Sequence, residues 1–516
     1  MLINADAYRE SLRRLRPRVT VDGRAVESVV DEPMFAPGIA AVGVSYDYAL
    51  NPQFAKIMTA TERSSGRLVN RMLHVNGSAD DLLDKLEAVR LVCREAGCAQ
   101  RYIAQDMLNA LFQATQRADA NHGTEYHPRL LAYLHRVQEQ DLAIGGCMTD
   151  SKGDRSLRPG AQVEADAYVR IVERRPGGIV IRGVKAIVTG APYMHELLVM
   201  PCRTMTAEEK DFAVCCAVPV DARGITIHST PAGRPGVKNA KFSKRYGQST
   251  AVVIFDDVFV PMEHVFLAGE HEEAGYATTS YATHHRHSCI GARAGFGDLL
   301  IGAGAMMIDA NGLDADVHHH VRDAMVELIK IVEGFYACGV AASVYAKQDE
   351  SGCAMPDPVF SNIGKLLLST QIYDMHRLAH YVSGGLLVAL PAPDEDHHPQ
   401  VGAALDQIFA GRAGQPAGRR VELARVLEDL TVSSQGGWYS LISLHGGGSP
   451  EAMKREIWRN YPVAEKTQLI ESLMERGVIA EGADAAKPGQ QPGKCCATGC
   501  RPPVMQERLF RGSEPT

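Results

Sequence analysis

The chain has 516 residues, 45% of them apolar and 22% charged, and carries a net charge of −7. This is ordinary usage for a folded protein and excludes a disordered, collagen-like or disulfide-scaffold chain, while the acidic balance gives no global field for nucleic acid or anionic lipid. The length allows roughly two to four domains, or one multilayer enzyme subunit with a large core.

The opening stretch, MLINADAYRESLRRLRPRV, has no apolar signal core, and no apolar run approaches the ~18 residues of a membrane span. A cytoplasmic protein with a small-molecule substrate is expected, with no nucleic-acid and no membrane partner. The twelve cysteines include several in apolar strings such as DFAVCCAVPV, which read as reduced thiols behaving as small buried hydrophobes.

From Ala79 to Leu142 apolar residues recur at three- and four-residue intervals, the period of a helix. From about Ala165 the pattern turns to short β-rich runs, YVRIV, GIVIRGVKAIVTG, ELLVMPC, FAVCCAVPV and STAVVIFDDVFVP, punctuated by Gly, Pro and Asp. Helical periodicity returns from Tyr276, with two long stretches, VRDAMVELIKIVEGFYACGVAASVYAK and NIGKLLLSTQIYDMHRLAHYVSGGLL, whose broad apolar faces are expected to pack together and across a subunit interface. After Gly482 the composition shifts to ADAAKPGQQPGKCCATGCRPP, expected to be a mobile tail. Cys495, Cys496 and Cys500 lie close enough there to bind a soft metal, but no fourth ligand is fixed nearby. The predicted divisions are 1–145, helical; 146–275, a central β domain; 276–481, a helical bundle; and 482–516, a Cys-containing tail. Helices, then strands, then helices predict an α+β fold with segregated layers rather than βαβ units. No GxGxxG follows a strand and opens a helix, so a Rossmann-type nucleotide site is not expected.

Five long strings carry a family resemblance: CMTDSKGDRS, VKAIVTGAPYMHELLV, IFDDVFVPMEHVFLAGE, HRHSCIGARAGFGD and EDLTVSSQGGWYSLISLHGGGSPEAMKREIWRNYP. In this order they resemble the 4-hydroxyphenylacetate 3-hydroxylase / 4-hydroxybutyryl-CoA dehydratase (vinylacetyl-CoA isomerase) flavoproteins, to about Met474. The resemblance implies an acyl-CoA dehydrogenase-like fold, a homotetramer, and FAD at the domain junction. MTDSKGDRS and SLHGGGSPEAMKREI are worded as in the dehydratase branch. There an iron–sulfur cluster is held by two cysteines from one helix and by a His and a third Cys downstream. Cys98 and His285 match those positions, whereas Tyr102 and Ala292 replace the other two ligands. A phenol and a methyl group do not substitute for thiolates, so Cys98 and His285 read as relic ligands and a [4Fe-4S] cluster is not expected. Other positions of that branch also differ: Thr250 stands for a Glu, Cys289 for a Tyr and Arg293 for a Lys, while Glu456 is kept.

Catalysis is therefore assigned to His285 as acid/base, Arg293 as anion clamp, Tyr102 (with Arg101 as an alternative) as substrate contact, and Glu456. A histidine changes charge near neutral pH, and an arginine holds an anion without shuttling protons. Flavin contacts are expected at Met148, Thr149, Lys152 and Asp154 in the loop leaving the helical domain, at Thr189 after a strand, and at Gly447, Gly448 and Ser449, a glycine-rich loop before a helix. The leading expectation is a reduced-flavin-dependent monooxygenase, its FAD bound or taken up as a reduced co-substrate from a separate flavin reductase. The alternative is a dehydratase or Δ-isomerase of a short acyl-CoA. The resemblance weakens the first reading at one point, since the His by which the family's aromatic hydroxylases hold their phenol falls at Gly146.

Overall fold

Five helices of the first 140 residues, Ala5–Leu12, Ala36–Leu50, Ala79–Ala96, Tyr102–His122 and Tyr126–Gln140, set the N-terminal layer of this computed structural model, which describes residues 1–392, 398–416 and 418–479. Ser78 caps the third of them by accepting the amide of Asp81, and two aspartates sit in its first turn, where the exposed amides favour negative charge. Gly97 ends it in the left-handed region at φ +67°, and a β-carbon there would lie 2.9 Å from the Tyr439 hydroxyl. The chain then turns through residues 98–101 into the next helix, so Cys98 sits in the joint and not on a helix as expected.

The middle of the chain forms two sheets. The larger runs Arg24–Val26, Val19–Val21, Ile225–Ser229, Thr250–Pro261, Gly178–Thr189, Arg170–Arg175; the smaller runs Val265–Ala268, Val214–Pro219, Glu196–Val199, Ile144–Cys147. Pairing is antiparallel except for Val19–Val21 with Ile225–Ser229 and Ile144–Cys147 with Glu196–Val199. Two strands thus come from the N-terminal segment whose pattern reads as helical. They are three residues each, too short to show alternation. Cys215 and Cys216 are buried in Val214–Pro219, as the apolar string predicts.

The third layer is built on His271–Ala310, a helix of 40 residues packed by His319–Val344 and Pro358–Val382. Glycines let it approach the Ala79–Ala96 helix closely: a β-carbon on Gly291 would lie 2.6 Å from the Leu86 carbonyl oxygen, and one on Gly295 2.3 Å from that of Arg90. This contact drives the middle of the long helix, from Thr283 to Gly297, into the interior. Helices Arg419–Thr431, Ser434–His445 and Pro450–Asn460 complete the unit that ends at Tyr461. The α+β, helix–sheet–helix architecture is the one expected. A separate unit starts at Pro462, and its described part is the helix Val463–Glu475. The predicted tail with Cys495, Cys496 and Cys500 lies outside the described residues.

Candidate active site

One turn of the Tyr102–His122 helix separates Tyr102 from Asp106, and one turn of the His271–Ala310 helix separates His285 from Cys289. Side chains four apart share a helix face, so where these helices cross, four chemically active groups meet. Asp106 is the anchor. Its Oδ1 accepts from Lys85 Nζ at 2.5 Å and Ser288 Oγ at 2.8 Å, and its Oδ2 faces His285 Nδ1 at 3.0 Å. The His285 ring lies between two phenols, stacked on Tyr281 at 5.1 Å and tilted against Tyr102 at 5.5 Å between centroids. Cys289 lies one turn further along the same helix face, where its sulfur and the imidazole act on each other's charge, and the Tyr102 hydroxyl lies 3.8 Å from the Cys289 sulfur.

The charges of this group favour an ion pair. Burial pushes the Cys289 thiol up, but the His285 imidazole beside it, aided by Lys365 and Arg293, brings it below the ordinary thiol range. Burial lowers His285, and the Cys289 sulfur and the Asp106 carboxylate more than offset it, so the imidazole is held above its usual range. The two shifts describe one arrangement, a thiolate against an imidazolium. Tyr102 is raised by burial and by Cys289, and stays a proton donor.

Two further cations face the pair. Arg293 donates from Nε to Ser443 Oγ at 2.5 Å, and Lys365 donates from Nζ to the Ser443 carbonyl oxygen and to Ser369 Oγ, both at 2.6 Å. Burial lowers the Lys365 ammonium to about 7. Arg286 donates to the Gly447 carbonyl at 2.9 Å and to Asn362 Oδ1 at 2.7 Å, and Glu456 acts on its charge from beyond. Glu456 itself receives Arg459 Nη1 at 2.9 Å. It thus stands behind Arg286, while Tyr102, His285 and Arg293 converge on Cys289.

The expected flavin contacts fall into two groups. The Met148 and Thr149 carbonyls accept from Lys185 Nζ and the Ala186 amide, each at 2.8 Å, which lays their loop along the Gly178–Thr189 strand. Thr189, at the end of that strand, is buried, accepts from Gln248 Nε2 at 3.1 Å and pairs in register with Thr250. The Thr250 hydroxyl is buried without a partner, which leaves a hydrogen-bonding position open beside Thr189 for a polar ring edge. Lys152 has φ +72° in this loop, and Asp154 turns its carboxylate onto Ser156, exposed. The second group lies against the thiol–imidazole pair. Gly447 and Gly448 have φ +78° and +105°, and β-carbons there would lie 3.3 Å from His285 Cδ2 and 3.0 Å from Arg286 Nη2. Ser449 caps the Pro450–Asn460 helix by accepting the Ala452 amide.

Arg101 has a structural place. Its guanidinium pairs with buried Asp141 at 2.6 Å and lies 3.9 Å over the Tyr46 ring, so Tyr102 alone of the two faces the pair. Cys98 is buried and pushed up to about 12 by burial. Among the described residues no group of three or more His, Cys, Asp or Glu side chains is placed to hold a metal, and the four ligand positions offer one thiol, one imidazole, a phenol and a methyl group. This donor set does not fit a cubane cluster. Of the two cysteines that could rebuild a cluster, Cys93 is buried in the Ala79–Ala96 helix beside Cys98 and Cys147 is shut into the Ile144–Cys147 strand. The residues that sequence reasoning does not select are Asp106, Lys85, Lys365, Ser443 and, as a reactive group, Cys289. The one available signal was the spacing His285-x-x-x-Cys289 on a helical stretch.

The helix–sheet–helix arrangement is that of the acyl-CoA dehydrogenase-like fold. The chain matches the family model described as 4-hydroxyphenylacetate 3-hydroxylase N terminal over residues 4–267 and that of the C terminal over residues 274–475, and it belongs to this family. It is 36% identical over 491 residues to the 4-hydroxybutyryl-CoA dehydratase/vinylacetyl-CoA-Delta-isomerase of Clostridium aminobutyricum, covering 92% of this chain and 99% of that one. To the 4-hydroxyphenylacetate 3-monooxygenase oxygenase component of Thermus thermophilus it is 26% identical, covering 91% and 97%. Among solved structures it superposes on an oxygen-tolerant archaeal 4-hydroxybutyryl-CoA dehydratase from N. maritimus with a TM-score of 0.88 and 33% identity, over 95% of this chain and 98% of that one. An oxygenase component complexed with FAD shares the fold, with a TM-score of 0.80, 22% identity and coverage of 92% and 99%.

Proposed function

We propose that this protein is an FAD-dependent enzyme that shifts a double bond within a small acyl-CoA thioester. The observation that carries this reading is the Asp106–His285–Cys289 arrangement beside Arg293. Such a shift removes a proton next to the thioester carbonyl, stabilises the resulting enolate and returns a proton two carbons away. The thiolate–imidazolium pair supplies a base and an acid on one helix face, and Arg293 supplies a fixed cation for the enolate oxygen. Tyr102 keeps its proton and can donate it at the far carbon. Similarity to a relative named as a dehydratase and Δ-isomerase supports the substrate class. Expelling hydroxide from an unactivated carbon asks for a Lewis acid on the oxygen, for which Tyr102 and Ala292 provide no ligand, so no step is routed through a cluster.

FAD binding beside Thr189 is supported by the unpartnered Thr250 hydroxyl and by the Met148–Thr149 backbone laid along the same strand. When bound it would supply one- and two-electron chemistry, which the redox-neutral proton transfers of the double-bond shift do not themselves consume. The family's homotetramer is part of this proposal and is supported by exposed apolar side chains on the long helices, among them Val326, Ile329, Tyr373 and Tyr381. Among the described residues no helix is long and apolar enough to cross a membrane. A cytoplasmic location remains part of the proposal.

The second reading, a reduced-flavin monooxygenase served by a separate reductase, is favoured by relatives named as oxygenase components that match nearly the whole chain. It ranks below the first because the residues gathered around Cys289 suit proton transfer, and Gly146 offers nothing to a phenol.

The test begins with anaerobic purification, iron and sulfide assay, and a visible spectrum. A yellow, iron-free protein that converts 3-butenoyl-CoA to 2-butenoyl-CoA supports the first reading. About four irons per chain would refute the fit argument made above. Oxygen uptake with reduced FAD and a phenol, without isomerisation, would put the monooxygenase first.

A further inference from the structure

The His285–Cys289 pair has the parts of a covalent catalyst as well as those of a proton shuttle. Asp106 fixes one ring nitrogen at 3.0 Å, ring and sulfur sit on consecutive turns of one helix, and the Tyr102 ring lies 5.5 Å from the imidazole and its hydroxyl 3.8 Å from the sulfur. That is the nucleophile, base and orienting acid of a Cys–His–Asp triad. Tyr102, His285, Cys289 and Arg293 each keep 7–9% of their surface exposed, whereas Cys93, His284, His287 and Ser288 around them have none. These four residues are therefore not completely enclosed, whereas the ones around them are. Arg293 is more than nine-tenths buried, yet its protein hydrogen bond uses Nε alone, which leaves the outer nitrogens of a buried guanidinium to hold an oxyanion.

We infer that Cys289 is a nucleophile that takes the acyl group of a small thioester, with His285 as its proton partner and Asp106 as the residue that positions the imidazole. The Cys289 thiolate attacks the carbonyl carbon and a carbon–sulfur bond forms. The carbonyl π electrons move to oxygen, facing Arg293 and the Tyr102 hydroxyl. Collapse breaks the bond to the coenzyme A sulfur, which leaves as a thiolate and takes the proton from the His285 imidazolium. Water then attacks the new thioester and gives its proton to His285. The carboxylic acid departs and the Cys289 thiolate returns, so the sum is thioester plus water to acid plus thiol. Cys93 and Cys98 cannot substitute, because both are sealed from solvent and held as thiols by burial. The inference rests on the isomerase reading only for the choice of electrophile.

The test uses the FAD-loaded protein and butyryl-CoA, a saturated thioester with no double bond to move, so that its outcome is separate from that of the isomerase assay. Expected are release of free coenzyme A and a butyryl mass on the peptide containing Cys289, both lost in Cys289→Ala, with the rate of release reduced about 100-fold or more in His285→Gln. Asp106→Asn should slow alkylation of Cys289 by iodoacetamide about 10-fold or more, with Asp106→Glu restoring part of it, a readout that loss of packing alone would not move in this way. Butyryl-CoA should also protect Cys289 of the unmodified protein from iodoacetamide, a measurement that needs no variant to fold. Failure of coenzyme A release, release that persists in Cys289→Ala, or a butyryl group carried by another cysteine would each overturn the inference.

Discussion

Replacing Asp106 by Asn should unseat the core beneath the site more than any surface change could. Asp106 and Lys85 are both fully enclosed, 2.5 Å apart, and the carboxylate also receives Ser288 and His285. Removing one partner of such a pair leaves the other charge in dry surroundings, a loss of about 3–5 kcal/mol. Lys85→Met in the same chain takes away the stranded ammonium, so the double variant should recover much of the loss, with a coupling of about 2–3 kcal/mol between the sites. Urea unfolding followed by far-UV circular dichroism on the parent, the two single variants and the double variant gives all four corners of the cycle. A cost below about 1 kcal/mol for Asp106→Asn, or additivity of the two changes within about 0.5 kcal/mol, would refute the claim that this ion pair is buried and mutually dependent.

Gly447→Ala places a β-carbon 3.3 Å from the His285 ring at φ +78°; the strain should cost about 1–3 kcal/mol and lower turnover, read by thermal unfolding and by the isomerase assay together. Arg293→Gln should reduce turnover about 100- to 1000-fold with little change in stability, since the protein hydrogen bond of Arg293 is to Ser443; an unchanged rate would remove it from the site. His195 is held down to about 4 by burial, against an ordinary value of 6.5. The neutral ring is therefore favoured in the fold, and its contribution is full above pH 6.5 and is lost as pH falls toward 4. The full loss is about 3 kcal/mol, of which about 2 kcal/mol falls between pH 7 and pH 4.5, and His195→Gln should flatten the acid side of the stability profile by that smaller amount in denaturant titrations at those two pH values.

Long periodic segments were readable before any coordinates. The helical interval from Ala79 to Leu142 and the β-rich runs after Ala165 correspond to helices and strands found there, because burial of one face writes itself into residue order. Three-residue strands such as Val19–Val21 carry no such record. At the site, His285, Tyr102 and Arg293 were legible through a family pattern and do converge. Asp106 and Lys365 were not, because each is a charged residue in an amphipathic stretch where solvent exposure is the ordinary expectation. Only the packing of their helices, Tyr102–His122 and Pro358–Val382, against His271–Ala310 shows them to be interior. Arg101 and Tyr102 are neighbours in sequence yet serve different purposes, since Arg101 ends the turn before the helix and pairs with Asp141, while Tyr102 opens the helix.

The pairing of Val19–Val21 with Ile225–Ser229 sets an order of events during biosynthesis. Thr20 and His228 are bonded across 208 residues of chain, so one of the earliest segments to leave the ribosome can pair only with its neighbour Arg24–Val26 until the middle of the polypeptide has followed it out. At about 5–20 residues per second that delay is roughly 10–40 seconds. A stretch left waiting for so long is the natural place for a nascent-chain chaperone to act.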